Sequence, residues 1–202
     1  MRGCTAPEVR GSRCAGYARL AGRIGLLVLL LPAFFSWLGS IAYANSPSES
    51  PEPRQLLVVP STVKPFFTLP DLAGSPLSLQ GQAGRVVLVH FFATWCEPCR
   101  EELGSLNQLV DQQRGFMLSV MAVNVAEVPA RVKRFLETAP VQFPVLLDAD
   151  RAVTKAWGVN SLPTTFILDR SLVPRLWVEG DLDWTSADVM AALAKVHTEK
   201  PK

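Results

Sequence analysis

Residues 86–103 read VVLVHFFATWCEPCREEL and combine an apolar run, a short turn and an amphipathic segment. Residues 86–92 are apolar apart from one histidine, as is typical of a central strand that is covered on both faces. After the turn, Leu103, Leu106 and Val110 recur at intervals of three and four, which predicts a helix from residue 97 to about residue 114. The stretch therefore predicts a buried strand that leads directly into a helix.

Two cysteines lie at the junction between this strand and this helix. Cys96 falls at the predicted helix N-terminus, where free N–H groups and the helix dipole stabilise an anion such as the reactive thiolate. Cys99 follows one turn later, near enough to attack a mixed disulfide and release a substrate. Pro98 suits the first turn of a helix, and Trp95 supplies an apolar wall beside the sulfur. We therefore predict that Cys96 and Cys99 form a redox pair.

A zinc site and a purely structural disulfide are the weaker roles for this cysteine pair. A zinc site usually has four ligands, and after residue 44 the chain offers only His90 and His197 besides these two cysteines and the carboxylates. A structural disulfide that closes so small a loop would constrain the unfolded chain little. The sequence therefore favours redox chemistry, with no metal and no organic cofactor.

The N-terminal residues 1–44 have the character of a signal peptide or an N-terminal membrane anchor. Residues 24–44, IGLLVLLLPAFFSWLGSIAYA, contain no charge, and the segment ends in the small-residue pattern Ala42-Tyr43-Ala44 of a signal-peptidase site. The same length would also cross a bilayer uncleaved. Residues 1–44 contain five Arg and one Glu, whereas residues 45–202 carry a net charge of −2, which gives no indication of a nucleic-acid surface. Either form of leader predicts that residues 45–202 lie outside the cytoplasm, in the periplasm or at the outer face of the cytoplasmic membrane.

The rest of the chain predicts alternating strands and helices. Residues 45–61 begin rich in Pro and Ser and are expected to form a tether, followed by a folded domain over residues 62–198. A hairpin is predicted at 65–69 and 76–79. Further strands are predicted at 117–125, 145–147, 165–168 and 176–179, and further helices at 129–138, 151–157 and 186–197. This order indicates an α/β sandwich with a mixed sheet.

Three segments give the chain a resemblance to the thioredoxin superfamily, and most closely to the TlpA/ResA-like extracytoplasmic thiol–disulfide oxidoreductases and the related cytochrome c maturation thioredoxins. The segments are FFATWCEPCREEL, VNVAE followed by a helix and FPVLLD, and WGVNSLPTTFILD. The resemblance covers about residues 62–198. It implies a three-layer α/β/α sandwich with a mixed central sheet and an N-terminal β-hairpin.

The resemblance also assigns residues to the site. Pro163, in the segment VNSLPTT, is implied to follow a cis peptide bond and to lie against the redox pair. Leu162 would then offer its backbone to a substrate strand beside Thr164. From the residues alone, Pro163 would only mark a turn before a strand.

The carboxylates that follow the cysteines are expected to differ in role. Glu102 lies three residues after Cys99 on the same side of the helix, and the resemblance implies that it exchanges protons with Cys99. The alternative is that Glu101 and Glu102 only complement the first turns of the helix. Glu97 occupies the variable middle of the motif and is expected to tune the reduction potential or the choice of partner.

His90 departs from the pattern of the family, in which an Asp or Asn is usual at this position. A histidine beneath the redox pair could relay protons near neutral pH. The alternative, which the residue type favours, is a neutral core histidine that hydrogen-bonds to a neighbouring carbonyl.

These features predict an exported enzyme of thiol–disulfide exchange, and the resemblance implies that it reduces disulfides of exported proteins, such as the haem-binding cysteine pairs of apocytochromes c. A membrane-embedded thiol protein is the implied electron donor. Three alternatives stay open: an oxidant that forms disulfides, a redox-regulated binding or chaperone module, and a peroxidase of the peroxiredoxin group. The last is the weakest, because this chain retains both cysteines of a Cys-x-x-Cys motif.

Overall fold

Strand β4 (Val86–Phe92) lies in the interior of the sheet and is buried along its whole length. The computed structural model describes residues 55–59, 66–113 and 117–198. The leader predicted over residues 1–44 and most of the tether predicted over residues 45–61 lie outside these ranges. Within the described ranges, no helix has both the length and the apolar character that crossing a bilayer requires.

The described strands and helices follow the predicted order. The strands are β1 (Leu57–Val58), β2 (Thr68–Pro70), β3 (Pro76–Ser78), β4, β5 (Leu118–Val125), β6 (Val145–Asp148), β7 (Thr164–Leu168) and β8 (Pro174–Glu179). The helices are α1 (Glu97–Gln112), α2 (Pro129–Thr138), α3 (Ala152–Ala156) and α4 (Ala187–Thr198), with a short 3₁₀ helix at Leu79–Gln82.

Six strands form one mixed sheet in the order β1-β8-β7-β4-β5-β6. Strand β4 runs parallel to β5 and antiparallel to β7, while β5 and β6 are parallel. Strands β2 and β3 form a separate antiparallel hairpin. The predicted α/β class, the mixed sheet and the N-terminal hairpin are therefore confirmed.

The sheet separates two apolar clusters, because successive side chains of a strand point to opposite faces. On one face, alternate residues of β4 pack with α1, α2 and α4, and this cluster includes both cysteines. On the other face, the intervening residues pack with the hairpin and with Trp157, whose ring centroid lies 5.1 Å from that of Phe166 and 5.9 Å from that of Phe91. The arrangement is the expected three-layer sandwich, with the cysteines at one end of its central strand.

One strand was not predicted. Residues Leu57 and Val58 pair with Trp177 and Leu176 at the edge of the sheet, although they fall within the predicted tether. Their side chains stay exposed, so the pairing rests on backbone hydrogen bonds. The composition of residues 45–53, which indicates a tether, does not extend to the apolar residues that follow.

Candidate active site

Cys96 and Cys99 lie where β4 passes into α1. Cys96 is the residue that caps the helix, and its Sγ accepts a hydrogen bond from the N–H of Cys99 at 3.3 Å. The two sulfur atoms form a disulfide with an S–S distance of 2.06 Å and a Cα–Cα distance of 5.3 Å. The helix therefore begins at the first sulfur of the predicted redox pair.

The two cysteines differ in their access to solvent. Cys96 is 6% exposed, whereas Cys99 is fully buried. A partner thiol or disulfide that approaches from solvent therefore reaches the sulfur of Cys96 first. Because the helix N-terminus also stabilises a thiolate there, Cys96 has the environment of a nucleophile and Cys99 that of a resolving cysteine.

Of the residues predicted to bind substrate, Trp95 and Leu162 lie on two loops, and Thr164 begins β7. Trp95 is 66% exposed, which is unusual for so large an apolar side chain. The peptide bond between Leu162 and Pro163 is cis, and Leu162 packs against the apolar cluster that contains both cysteines. Thr164 is buried, and its hydroxyl donates a 2.8 Å hydrogen bond to the carbonyl of Ser161 across the proline turn. The Thr164 side chain thus supports the turn that contains Pro163.

Glu102 is buried on the inner face of α1, one turn after Cys99. Its carboxylate accepts a hydrogen bond from the indole N–H of Trp184, a fully buried residue that precedes α4. Ser105 lies one turn further along α1, and its hydroxyl donates to the carbonyl of Glu102 at 2.9 Å. Burial and a fixed donor distinguish Glu102 from Glu101, which is exposed.

Glu97 and Pro98 occupy the first turn of α1. The carboxylate of Glu97 is exposed and forms a 2.8 Å ion pair with Arg100. The Arg100 guanidinium lies 5.9 Å from the ring centroid of Phe135 on α2. Glu97 is therefore positioned on the solvent side of the site, where a partner protein would meet it.

His90 is fully buried in β4, directly beside Thr165 of β7. Its Nδ1 lies 2.8 Å from the hydroxyl oxygen of Thr165, rather than against a carbonyl, and its ring stacks on Phe92 at 6.0 Å. Burial lowers the pKa of His90 from 6.5 to about 3, because the charged ring would lose its hydration. A ring that is neutral at physiological pH favours the core alternative over a proton relay.

A carboxylate that sequence reasoning missed anchors the turn before Cys96. Glu127 is 7% exposed and accepts hydrogen bonds from the N–H of Thr94 at 2.7 Å and from its hydroxyl at 2.6 Å. It also accepts from the side-chain amide of Asn124 at 2.8 Å. The signal for Glu127 was its position just after β5. The carboxyl ends of the parallel strands β4 and β5 meet at the same edge of the sheet, so a residue that follows β5 lies near the residues that follow β4. Polar residues at the end of an otherwise apolar strand are therefore candidates for the site.

The described residues form no cluster that suits a metal ion. Within residues 55–59, 66–113 and 117–198, no group of three or more His, Cys, Asp or Glu side chains is arranged to hold one.

Comparison with known proteins places this geometry among redox proteins. The AhpC/TSA family matches residues 61–173. The thiol–disulfide oxidoreductase ResA of Geobacillus thermodenitrificans is 37% identical over 155 residues, which cover 76% of this chain and 83% of that protein. ResA of Bacillus subtilis is 32% identical over 151 residues, with coverages of 75% and 79%.

Solved structures agree with the sequence relatives. A putative thiol:disulfide interchange protein DsbE from Chlorobium tepidum superposes with a TM-score of 0.63 at 26% identity. The match covers 69% of this chain and 99% of that one. The fold is thus shared with proteins named for disulfide exchange.

Proposed function

Because the chain belongs to the AhpC/TSA family of thioredoxin-like proteins and is a thiol–disulfide oxidoreductase of the ResA/DsbE type, we propose that it reduces disulfides of exported proteins. The observation that supports disulfide exchange most strongly is the unequal burial of two disulfide-bonded cysteines at a helix start. That arrangement suits one sulfur to attack and the other to resolve. The resemblance of the Glu97-Pro98 pair to that of reductases favours the reducing direction.

In the proposed cycle, the reduced protein transfers two electrons to its substrate. The Cys96 thiolate attacks a substrate disulfide, forming a mixed disulfide and releasing one substrate thiolate, which takes a proton from water. Cys99 then loses its proton, and its thiolate attacks the Sγ of Cys96. The second substrate thiolate leaves and is protonated, and the Cys96–Cys99 disulfide remains. A thiol donor protein restores the reduced pair by the reverse exchange.

Glu102 is the proposed acceptor of the Cys99 proton. It lies on the same buried face of α1, one turn from Cys99, and the Trp184 indole fixes its carboxylate. Since Cys99 has no contact with solvent, a proton acceptor inside the protein is required for the second step. Tuning by Glu97 belongs to the same proposal, because its exposed carboxylate would meet the partner protein.

We place this reaction outside the cytoplasm. The uncharged segment 24–44, preceded by arginines and ended by Ala42-Tyr43-Ala44, supports export by a signal peptide or an anchor. Haem-binding cysteine pairs of apocytochromes c are the proposed substrates, with a membrane-embedded thiol protein as donor. In a spheroplast preparation, residues 45–202 should either be released with the periplasmic contents or be digested by added protease; retention with complete protection of this domain would contradict the proposed location.

A trapping experiment tests the assignment of the two cysteines. Cys99→Ser should accumulate a mixed disulfide between Cys96 and a protein substrate, because the resolving sulfur is missing. Cys96→Ser is the matched control and should form no adduct through its buried Cys99. Non-reducing gels and mass spectrometry would identify the bonded cysteine. Adducts through Cys99, or turnover of disulfides that persists in both variants, would contradict the proposal, and the absence of any adduct in Cys99→Ser would favour a binding module.

A further inference from the structure

A cleft of about 330 Å³ opens beside the redox pair, and we propose that it binds an acidic side chain close to the reactive cysteine of the substrate protein. This inference rests on the proposed function and adds a substrate class to it. The preferred substrates would be polypeptides with Asp or Glu near the cysteine that Cys96 attacks.

The cleft is placed to receive a residue that flanks the substrate cysteine. Trp95 and Leu162 line it, and each is the immediate neighbour of an active-site residue, Cys96 in one case and Pro163 in the other. A substrate segment that pairs with the backbone of Leu162 would be extended, at about 3.3 Å per residue. A side chain one or two positions from the substrate cysteine would therefore lie over the cleft.

The walls of the cleft suit a side chain with an apolar stem and a polar end. Val125 and Val159 provide apolar surface, while Asn160 and Ser161 add polar groups. Thr154, a buried residue of α3, also lines the cleft. The methylene groups of a glutamate could contact the valines while its carboxylate reaches the polar side.

Arg151 brings a positive charge to the lining of the cleft. Arg151 is the one charged residue among the described residues that line it, and no ion pair joins Arg151 to a carboxylate within the described part of the chain. Two neighbouring acids are already engaged: Asp148 accepts from the N–H groups of Val153 and Thr154, and Glu127 from Thr94 and Asn124.

The exposed Asp150, next to Arg151 in sequence, uses one oxygen to accept the N–H of Ala152. Because no ion pair joins Arg151 to a carboxylate among the described residues, its guanidinium is available to an incoming carboxylate.

The backbone that presents Arg151 is fixed. Arg151 and Ala126 both have positive φ, 62° and 59°, and both donate their N–H to the carbonyl oxygen of Asp148, at 3.2 and 3.1 Å. Non-glycine residues keep such conformations where the surrounding structure determines them. Because the backbone at Arg151 is already ordered, less conformational entropy is lost when a substrate binds.

The test uses three disulfide-linked peptides that differ at a single position, two residues from the cysteine. This position holds Glu, Gln or Lys. For the wild-type protein, kcat/KM should be about 1.5- to fivefold higher with Glu than with Gln, the range expected for a solvent-exposed ion pair. The gain should lie in KM and should disappear in about 0.5 M salt, where charges are screened. Arg151→Glu should invert the order, so that the Lys peptide becomes the best substrate.

Arg134→Glu is the matched control, because it makes the same charge change on α2, at a position that does not line the cleft. It should retain the wild-type order of the three peptides. Equal kcat/KM values for the three peptides with the wild-type protein, or an inverted order in Arg134→Glu, would overturn the inference.

A second substrate, the uncharged hydroxyethyl disulfide, distinguishes a failure of the acidic-subsite inference from a failure of the proposed function. If the wild-type protein reduces it but does not discriminate among the peptides, only the acidic-subsite inference fails. If it is not reduced, the proposed reductase function fails as well.

Discussion

At the scale of single residues, the turn before Cys96 depends on a carboxylate that follows a different strand. Glu127 accepts two hydrogen bonds from Thr94, one from the backbone and one from the hydroxyl, and is largely buried. A buried donor that loses its acceptor costs about 1–3 kcal/mol, and without Glu127 the buried side-chain amide of Asn124 would lose its acceptor along with the partly buried donors of Thr94. Glu127 therefore has a role both in stability and in the position of Cys96.

We expect Glu127→Ala to lower the free energy of unfolding by about 1–3 kcal/mol and to slow alkylation of Cys96 in the reduced protein. Urea denaturation and the rate of iodoacetamide labelling would measure the two effects. Thr94→Ser keeps both donors and should stay within about 0.5 kcal/mol of the wild type. Wild-type behaviour of Glu127→Ala in both measurements would contradict this role.

Burial of His90 makes the stability of the protein depend on pH. Its pKa is lowered to about 3 in the folded protein, so between that value and the unfolded value of 6.5 the unfolded chain binds a proton that the native protein does not. The stability from neutral His90 is thus complete above pH 6.5 and is lost as the pH falls toward 3. His90→Asn should flatten the fall in unfolding free energy over this window, as urea denaturation at several pH values would show.

The rate of disulfide reduction gives the second readout for His90. Because the ring is neutral throughout, the pH–rate profile between about pH 6 and pH 8 should be the same for the wild type and His90→Asn. A step near the ordinary histidine pKa of about 6.5 that is present only in the wild type would restore the proton-relay hypothesis.

The residues that could be predicted from sequence are those whose chemistry is local. Cys96 and Cys99 lie three positions apart at the predicted start of a helix, and this spacing in this position indicates a redox pair. The partners of Thr94 could not be predicted in this way, since Glu127 is 33 residues away in sequence. The isomer of the Leu162–Pro163 bond came from a family resemblance, because a residue sequence alone favours trans.

At the scale of elements, helix α1 organises the site. It begins at Cys96, buries Cys99 in its first turn and Glu102 in the next, and its inner face packs against the sheet. The Glu102 carboxylate is joined to the segment before α4 through the Trp184 indole. Displacement of that segment would therefore alter the proposed proton acceptor of Cys99.

Two variants separate the structural and the chemical roles of this link. Trp184→Phe removes the indole donor and should lower the free energy of unfolding by about 1–2 kcal/mol. Glu102→Gln retains an acceptor for the indole, so we expect a smaller loss of stability but slower release of substrate from the mixed disulfide. Stopped-flow measurement of that release would test the second effect. Release at the wild-type rate in Glu102→Gln would exclude Glu102 as the proton acceptor.

The elements themselves were predictable where the apolar pattern was continuous or strictly periodic. Helix α2 has the predicted bounds, 129–138, and β4 the predicted bounds, 86–92. Helix α1 ends at Gln112, slightly before the predicted end, because its last turn carries no apolar residue after Val110. Strand β1 was missed because two exposed residues that pair through their backbone leave no periodic pattern.

At the scale of the whole molecule, the fold allows either direction of electron flow. The sandwich, the position of the cysteine pair and the relatives named ResA identify disulfide exchange, while the direction depends on the relative stability of the reduced and oxidised pair. Both a reductant and an oxidant could use the same nucleophile, the same resolving cysteine and the same cleft. The direction is therefore a property of the assembled site, beyond what any single residue type indicates.

The reduction potential of the Cys96–Cys99 pair decides whether the protein donates electrons to exported disulfides or accepts them from exported thiols. Residues 45–202 would be equilibrated in thiol buffers of known potential, and the reduced fraction would be trapped by alkylation and counted by mass spectrometry. We predict a potential near that of thioredoxin, about −270 mV, which suits a donor of electrons to exported disulfides. A potential near about −120 mV would contradict the proposed reductase and would make the protein a disulfide-forming oxidant with the same fold and the same site.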